Sequence, residues 1–340
     1  MLLTVGALLL GASGLHTPEG EGGQDRGTSL ATLLGPQMVA GQGVEGLADE
    51  CAAGDPGLVG TCRDAALASR ELQGGLGLAV SGGSLLGASG STLGHRVQGK
   101  PRISLDVGGN LARTRYPDVL GREGAPDTRR HTPTFGAGLT VGVFDGFRVL
   151  PTVGGVLSVD LVGRARLVSL SEEGGFSGSL AAYGAGVRVG LLRESFTLPG
   201  VTLSAAHHRM GSVRFGSLLE GDPARVDLDP RSTSLRLVVE KDVLAAGFAG
   251  GVGWERVHGP VTVRTAEGEE GDGGQGEAAV DRLRSSRPVA FAGANLTFLV
   301  LRLSAEVGWA PRHSAVDGWA DHPFRSDSAW FGTLGIRVTY

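Results

Sequence analysis

Eleven charged side chains stand at alternate positions of segments whose other alternate positions are apolar. Six are arginines and five are acids: Asp106, Asp160, Arg164, Arg166, Arg188, Arg236, Glu240, Glu255, Arg302, Glu306 and Arg337. Successive side chains of a β-strand point to opposite faces, so these charges would share one face of a sheet and leave the other apolar. A nearly balanced set could fill an interior with ion pairs, or line a polar path in which arginines form a constriction. The sequence leaves both interpretations open.

Few other residues suggest catalysis or metal binding. His207 and His208 are adjacent within a predicted strand, with Ser204 nearby, and adjacent side chains cannot share one ligand set without a bulge. The acidic, glycine-rich segment 266–277 lacks the Asp-x-Asp-x-Asp-Gly order of a calcium-binding loop. The glycine pairs lie within strands and lack the Lys-Ser/Thr of a phosphate-binding loop. We therefore expect no catalytic residues, no metal site, no cofactor and no enzymatic activity.

The chain contains two cysteines, Cys51 and Cys62. In an exported chain, an even number of cysteines at short spacing favours a disulfide. Closing so short a loop would stabilise the fold by about 2–3 kcal/mol, mainly by restricting the unfolded chain. Two free thiols are the alternative.

Composition and periodicity predict an all-β protein. The chain has 59 glycines among 340 residues, more than twice the usual share of about 7%. Its net charge of −4 gives no reason to expect a nucleic-acid partner. From Arg102 onward, apolar and polar residues alternate in about ten segments, such as residues 103–111 and 301–309. Many small residues and few charges suit a barrel wall with a crowded inner face.

The connections between the predicted strands alternate in length. The polar gaps at 115–133, 216–231, 259–286 and 312–328 are long, while those at 145–150, 193–200 and 241–244 are short. Transmembrane barrels have short turns at one end and long loops at the outer end. Aromatic residues fall near the predicted strand ends, as in girdles at the two membrane–water boundaries: Phe135, Phe176, Trp254, Trp309, Trp330 and Tyr340.

The last segment, residues 330–340, alternates Leu334, Ile336 and Val338 with smaller or polar residues and ends on Tyr340. It resembles the closing strand of the outer-membrane β-barrel proteins of Gram-negative bacteria. The resemblance implies a transmembrane antiparallel up-and-down β-barrel of about ten strands, or alternatively twelve, formed by residues 100–340. It also implies a lipid bilayer around the wall and recognition of the last strand by the outer-membrane assembly machinery.

Arginines are concentrated around the first predicted long loop: Arg113, Arg115, Arg122, Arg129 and Arg130. Outside a Gram-negative cell, such a patch could bind the phosphates of lipopolysaccharide. The alternative is a solvated loop without a partner.

The N-terminal residues predict export and a segment separate from the barrel. An apolar run at 2–10, followed by small residues, predicts a signal peptide over residues 1–14, although no Lys or Arg precedes the run. Residues 15–99 are expected to form a flexible periplasmic or lumen-plugging segment, with a short helix at 64–73 and either a strand or a lumen segment at 74–83. The glycine-rich part of this segment resembles the N-terminal hatch of fatty-acid-transporter-like barrels, without its asparagine-proline-alanine signature.

These features favour an outer-membrane protein that acts as a narrow channel or carrier for small solutes or apolar molecules. A structural or surface-interaction barrel with a lumen filled by salt bridges is the alternative. An even number of strands would place both termini in the periplasm.

Overall fold

The structure is a computed structural model that describes residues 43–53, 55–83, 101–120, 127–147, 156–172, 175–266, 278–314, 316, 319 and 321–339. The predicted signal peptide, residues 15–42 and 84–99 of the predicted periplasmic or lumen-plugging segment, Arg122 and Tyr340 lie outside these residues. Among the described residues, two α-helices precede twelve β-strands. The helices are α1 (Gly43–Cys51) and α2 (Val59–Ser81). The strands are β1 (Ile103–Pro117), β2 (Asp127–Phe144), β3 (Ser158–Val168), β4 (Leu180–Leu192), β5 (Gly200–Met210), β6 (Val213–Phe215), β7 (Ala224–Leu228), β8 (Arg231–Val243), β9 (Ala246–Thr265), β10 (Ala279–Phe298), β11 (Leu301–Ala310) and β12 (Ala329–Thr339).

Ten of the strands close into an antiparallel ring. β1 to β5 pair in chain order, β5 pairs with β8, and β8 to β12 again pair in chain order. β12 returns to pair with β1, where Val107 lies opposite Ile336. The two short strands lie outside the ring, because β6 pairs with β7 and β7 pairs with the far part of β9. The predicted ten-stranded barrel is therefore confirmed, and a closed ring leaves no open edge among its strands.

The outer wall of the ring is apolar. Large side chains are exposed on strands around the ring, including Leu105, Phe135, Leu161, Val252 and Leu334. A wall of this kind is far larger than the apolar patches that soluble proteins leave in water, so lipid must cover it. The chain thus has the architecture of an outer-membrane β-barrel, as its closing strand suggested. Among the described residues, no helix is both long and apolar enough to span a membrane.

The two ends of the barrel differ. We call the end that carries the β1–β2, β3–β4, β5–β8, β9–β10 and β11–β12 connections the loop end. The opposite end is the turn end, where residues 244–245 join β8 to β9 and residues 299–300 join β10 to β11. These two turns are as short as predicted, and residues 193–199 join β4 to β5 at the same end. The predicted short gap at 145–150 is wrong, because β3 starts only at Ser158 and the β2–β3 connection is longer than the β1–β2 connection at the loop end.

Strand β9 crosses the membrane boundary at the loop end. Before the boundary, Val252 and Trp254 are exposed on the outer face and Glu255 is buried on the inner face. After it the pattern inverts, because Arg256 is exposed outside and Val257 is buried inside. Lipid must cover an apolar outer face and water a polar one, so the boundary lies between Trp254 and Arg256.

Two predicted loops are largely strand. The predicted loop at 115–133 is shortened because β1 runs to Pro117 and β2 starts at Asp127. The loop at 259–286 is shortened because β9 runs to Thr265 and β10 starts at Ala279. Beyond the membrane boundary, water covers the outer face of these strands. The polarity that suggested loops is therefore the polarity of solvated strands.

The predicted helix at 64–73 is part of a longer helix. α2 continues to Ser81, so the strand considered for residues 74–83 is wrong and the segment is helical up to that residue. A strand there would need a partner for its backbone groups, whereas a helix satisfies them internally. The predicted Cys51–Cys62 disulfide is present and joins the end of α1 to the first turn of α2.

Candidate functional site in the helix-filled lumen

The helix α2 occupies the interior of the barrel. It contacts strands on several sides of the ring, namely β1, β2, β3, β8, β9, β10 and β12, and also the short strand β7 outside the ring. From Ala65 to Ser81 every residue except Arg70 is buried. A helix is about 10–12 Å across with its side chains, and the interior of a barrel of about eight strands is just wide enough for side chains to fill. In ten strands, one helix with small residues therefore takes up most of the space.

Two glycines let α2 approach the wall closely. A methyl group at Gly75 would overlap the side chain of Thr114 on β1, and one at Gly77 would overlap Val257 on β9. Both wall residues are β-branched and have little freedom to move aside. The helix therefore fits the lumen only because these positions carry no side chain.

The C-terminal end of α2 is held by polar side chains of the wall. Asn110 Nδ2 donates to the carbonyl oxygens of Leu78 and Ala79, at 3.1 and 2.7 Å. Arg166 Nη2 donates to the carbonyl oxygen of Gly82 at 2.6 Å, and its Nη1 donates to that of Ala79 at 3.3 Å. The last carbonyls of a helix have no intrahelical partner and carry partial negative charge, so a buried guanidinium is favourable there.

A buried charge cluster lies beside the same helix end. Ser81 Oγ lies 2.8 Å from Glu255 Oε1 and accepts a hydrogen bond from Arg236 Nη2 at 3.1 Å. Gly83 N donates to Glu306 Oε1 at 3.2 Å, and Arg236 Nη1 lies 3.8 Å from the same carboxylate oxygen. Both acids and the arginine are at most 5% exposed. The cluster thus connects the helix end to β8, β9 and β11.

The middle of α2 is held by a second polar cluster nearer the loop end. His313 Nδ1 lies 2.9 Å from Glu71 Oε2 on α2, and His313 Nε2 lies 2.7 Å from Ser285 Oγ on β10. Ser326 Oγ donates to the same Glu71 oxygen at 3.1 Å, and Arg70 lies 3.2 Å from the other one. This chain of contacts links the helix, β10 and the β11–β12 connection.

A cavity of about 490 Å³ opens beside this cluster. It lies between α2 and the β11–β12 connection. Its lining includes aromatic and basic side chains, among them Arg70, Arg312, His313, Trp319, Phe324 and Arg325. The guanidinium of Arg63 lies 5.3 Å from the ring centre of Trp319, which holds the indole in place.

The second turn of α2 contains a carboxyl group, that of Asp64, whose pKa is raised. Burial and the neighbouring Asp118 raise the pKa of Asp64 to about 6. His322 Nε2 lies 3.3 Å from Asp64, but burial and the nearby Arg63 and Arg325 lower the pKa of His322. At neutral pH the contact is therefore one of a carboxylate with a neutral imidazole, and not an ion pair.

We expect Asp64→Asn to stabilise the fold only at higher pH. A raised pKa in the folded state stabilises the fold below the ordinary Asp value near 4, and this contribution is lost as the pH rises through about 6. Because the side chain is partly exposed, the gain above pH 7 should be below about 1 kcal/mol. Thermal unfolding at pH 4 and pH 8 measures it. Asp49→Asn on the exposed side of α1 should show no such difference, and an equal effect of Asp64→Asn at both pH values would contradict the assignment.

The structure places the eleven predicted charges on the inner face of the ring, where all but Arg164 are buried. Some form close ion pairs, such as Arg188 with Asp160 at 3.4 Å and Arg302 with Asp242 at 3.0 Å. Others contact α2, as described above for Arg166, Arg236, Glu255 and Glu306. The charges are thus brought together around the helix.

Four of the predicted boundary aromatics are exposed on the outer wall: Phe135, Trp254, Trp309 and Trp330. Phe176 is an exception. It is 7% exposed and packs at the loop end against Tyr116 and Phe215, with ring centres 6.2 and 4.8 Å apart. Phe176 lies in the β3–β4 connection, which folds inward over the barrel mouth, so its position near a strand end was misleading.

Three residues of the polar cluster at the loop end gave no usable signal in the sequence. Glu71, Ser285 and His313 are far apart along the chain, and only the closure of the ring around α2 brings them together. His207 and His208 point to opposite faces, as expected for neighbours in a strand. His207 is exposed and His208 is buried.

No protein-family model matches the chain, and no curated protein matches it. Among solved structures, the translocator domain of the autotransporter NalP from Neisseria meningitidis has a TM-score of 0.38 and 11% identity, over 80% of this chain and 99% of that one. The outer membrane protease OmpT from Escherichia coli has a TM-score of 0.37 and 12% identity, over 71% and 96%. The Pseudomonas putida toluene transporter TodX has a TM-score of 0.30 and 11% identity, over 76% and 93%. Resemblances at these levels do not indicate a shared function.

Proposed function

We propose that this chain is a surface-interaction barrel of the Gram-negative outer membrane whose lumen is permanently closed by α2. The observation that supports this function is the burial of α2 along most of its length, with polar contacts at its middle and at its C-terminal end. A channel or carrier would require this helix to leave, and buried charges would then lose their partners. In this proposal the eleven inner charges fill the lumen and hold the helix, and they do not line a path for a solute.

Conductance of the purified protein in planar bilayers tests the closed lumen. We expect no discrete openings from the folded wild-type protein at moderate voltage. Regular openings of uniform size would contradict the proposal and favour the channel. Heat-modifiable mobility on detergent gels confirms that the sample is folded.

The helix α1 lies at the loop end. It contacts β9 and β10, and Leu47 and Ala48 are buried in an apolar cluster that includes Val261 and Leu283. The last strand, β12, ends at the turn end. The even number of strands predicts that both termini lie in the periplasm. The helix α1, however, lies at the loop end of the barrel, whereas β12 ends at the turn end. If the loop end faces outward, as in outer-membrane barrels, α1 is displayed at the cell surface.

Amine labelling of intact cells tests this orientation. The chain has only two lysines, Lys100 and Lys241. Lys241 lies at the turn end, where its Nζ donates to the carbonyl oxygen of Ser195. We expect a membrane-impermeant amine reagent to leave Lys241 unlabelled and to label the lysine introduced by Glu45→Lys on α1. Labelling of Lys241, with no labelling at position 45, would invert the orientation. Peptide mapping by mass spectrometry distinguishes the two sites.

A row of four basic residues crosses the outer wall just beyond the membrane boundary. Arg209 on β5 lies opposite Arg231 on β8, which lies opposite His258 on β9, which lies opposite Arg284 on β10. Burial, followed by the neighbouring Arg256 and other basic residues, lowers the pKa of His258, so the positive charge of the row at neutral pH comes from its arginines. Arg209 and Arg231 lie directly opposite one another and repel, so a bound anion would stabilise the row. We propose that it binds the phosphates of lipopolysaccharide in the outer leaflet, as the predicted arginine-rich loop suggested for Arg113 and Arg129.

Replacing Arg231 and Arg284 together with glutamine should weaken this binding. Each basic residue near an anionic lipid surface contributes about 1 kcal/mol, so the loss should be about 2 kcal/mol. Lipopolysaccharide bound to the purified protein can be measured by titration in detergent. Arg214→Gln is the matched control. Arg214 is also an exposed arginine, but it forms an ion pair with Asp227 on β7, 3.4 Å away, and lies outside the row. Equal binding by the double variant and the wild type would contradict the site.

A further inference from the structure

Ser285, His313 and Glu71 lie in a continuous chain of hydrogen-bond contacts. The two ring nitrogens of His313 face different partners: Nε2 is 2.7 Å from the Ser285 hydroxyl and Nδ1 is 2.9 Å from the Glu71 carboxylate. A serine hydroxyl on one ring nitrogen and a carboxylate on the other is the arrangement that activates serine nucleophiles in unrelated folds. We propose that these residues form an acyl-transfer site, an activity that goes beyond the proposed surface role and does not depend on it.

The carboxylate of Glu71 is held in one orientation. Its Oε2 accepts from Ser326 Oγ at 3.1 Å as well as facing His313, and its Oε1 lies 3.2 Å from Arg70. These contacts fix the side on which the imidazole carries its proton, with Nδ1–H toward Glu71 and the Nε2 lone pair toward Ser285. Glu71 is thus a positioning residue, His313 the general base and Ser285 the nucleophile.

The site lies at the loop end, beyond the membrane boundary. Ser285 pairs with Val257, three residues past Trp254, so the hydroxyl is on the aqueous side of the boundary defined on β9. The cavity of about 490 Å³ is lined by His313 and by Ser326, which places a space for a substrate beside the general base. Ser285 and His313 are 7% and 9% exposed, so the nucleophile and the base are shielded but not sealed.

The cavity lining indicates the class of substrate. Trp319 and Phe324 offer apolar faces, while Arg70, Arg312 and Arg325 offer positive charge. Arg287 follows Ser285 on the same face of β10, and both Arg287 and His313 lie against Gly74. A guanidinium at this place would stabilise the negative charge that forms on a carbonyl oxygen under attack. The lining therefore fits an ester that has an apolar group and a negatively charged group.

The reaction follows from these positions. Ser285 Oγ bonds to the ester carbonyl carbon, and its proton moves to His313 Nε2. The bond between that carbon and the alcohol oxygen breaks, and the alcohol leaves with the proton from His313. Water then gives a proton to His313, its oxygen bonds to the acyl carbon, and the bond to Ser285 Oγ breaks. Ser285 regains its proton and the acid is released, so atoms and charges balance.

Phosphonylation by a fluorophosphonate tests the proposal without a known substrate. We expect the folded wild-type protein in detergent to form a covalent adduct on Ser285, identified by peptide mass spectrometry. Ser285→Ala should abolish the adduct. Ser286→Ala is the matched control, because Ser286 is the neighbouring residue and is exposed on the outer face. His313→Gln should slow labelling by at least about 100-fold.

The rate of labelling in the Glu71 variants separates a reactive triad from a purely structural contact. Glu71→Gln should slow labelling in protein that stays folded, because the imidazolium that forms as Ser285 gives up its proton loses its carboxylate partner. Glu71→Asp, which keeps the carboxylate, should slow it less. Absence of an adduct in folded wild-type protein, or an adduct that persists in Ser285→Ala, would overturn the proposal. Conductance and surface labelling are measured separately, so failure here leaves the proposed surface role untouched.

Discussion

Replacing Gly75 and Gly77 together with leucine is expected to expel α2 from the lumen and convert a silent barrel into a conducting one. Both positions face β-branched wall residues with no room for a side chain. Overpacking a filled interior typically costs about 1–3 kcal/mol per site, and rigid walls raise that cost. The ring itself is held by strand pairing and lipid, so it should persist while the helix leaves.

Single-channel recording detects the opening, and protease cleavage within α2 detects the exposed helix. Gly60→Leu is the matched control, because Gly60 lies in the same helix and a Cβ atom added there would have no neighbour within 4 Å. The control should stay silent and resistant to protease. Continued silence of the double variant, in protein that still shows heat-modifiable mobility, would mean that α2 is not the element that closes the barrel.

Replacing Arg236 with alanine should be the most destabilising single change of a charge in the barrel. The side chain is 3% exposed, and its guanidinium contacts Ser81, Glu306 and the rings of Phe291 and Phe331. Its loss leaves buried carboxylates without their cation, and breaking a buried ion pair in this way costs about 3–5 kcal/mol. Urea unfolding in detergent, followed by tryptophan fluorescence, measures the shift.

Two further variants show whether the loss comes from the charge. Arg236→Met combined with Glu306→Gln removes both charges and should recover part of the lost stability. Arg209→Ala on the outer wall should change stability by less than about 0.5 kcal/mol, as is usual for surface sites. A loss of less than about 1 kcal/mol in Arg236→Ala would show that water, and not Arg236, compensates the acids.

The sequence predicts the fold well where one rule, the alternation of apolar and polar side chains, applies along a strand. Leu105 and Val107 face lipid and Asp106 faces the lumen, so strict alternation predicted both the strand and its two faces. The rule fails beyond the membrane boundary, where Arg256 faces outward and Val257 inward, because water replaces lipid. It also fails for Phe176, whose position depends on how a connection folds over the barrel mouth.

The helical plug was harder to predict for a different reason. Glycine has low helix propensity, so Gly74, Gly75 and Gly77 argued against a helix at the place where α2 is most deeply buried. The close packing of these glycines against the wall outweighs their propensity. The cluster of Ser285, His313 and Glu71 could not be predicted at all, since contacts between residues so distant in the chain follow only from closure of the ring.

The length of β9 and β10 sets how far the molecule projects. Each has 20 residues, which at about 3.3 Å per residue and a tilt of about 40° corresponds to a height of roughly 50 Å. The hydrocarbon band is only about 25 Å tall. One side of the barrel therefore rises as a rigid wall about as high above the lipid as the membrane is thick. In the proposed orientation, with the loop end outward, anything that approaches the cell, such as an antibody or another cell, would meet the top of this wall before it reached the bilayer.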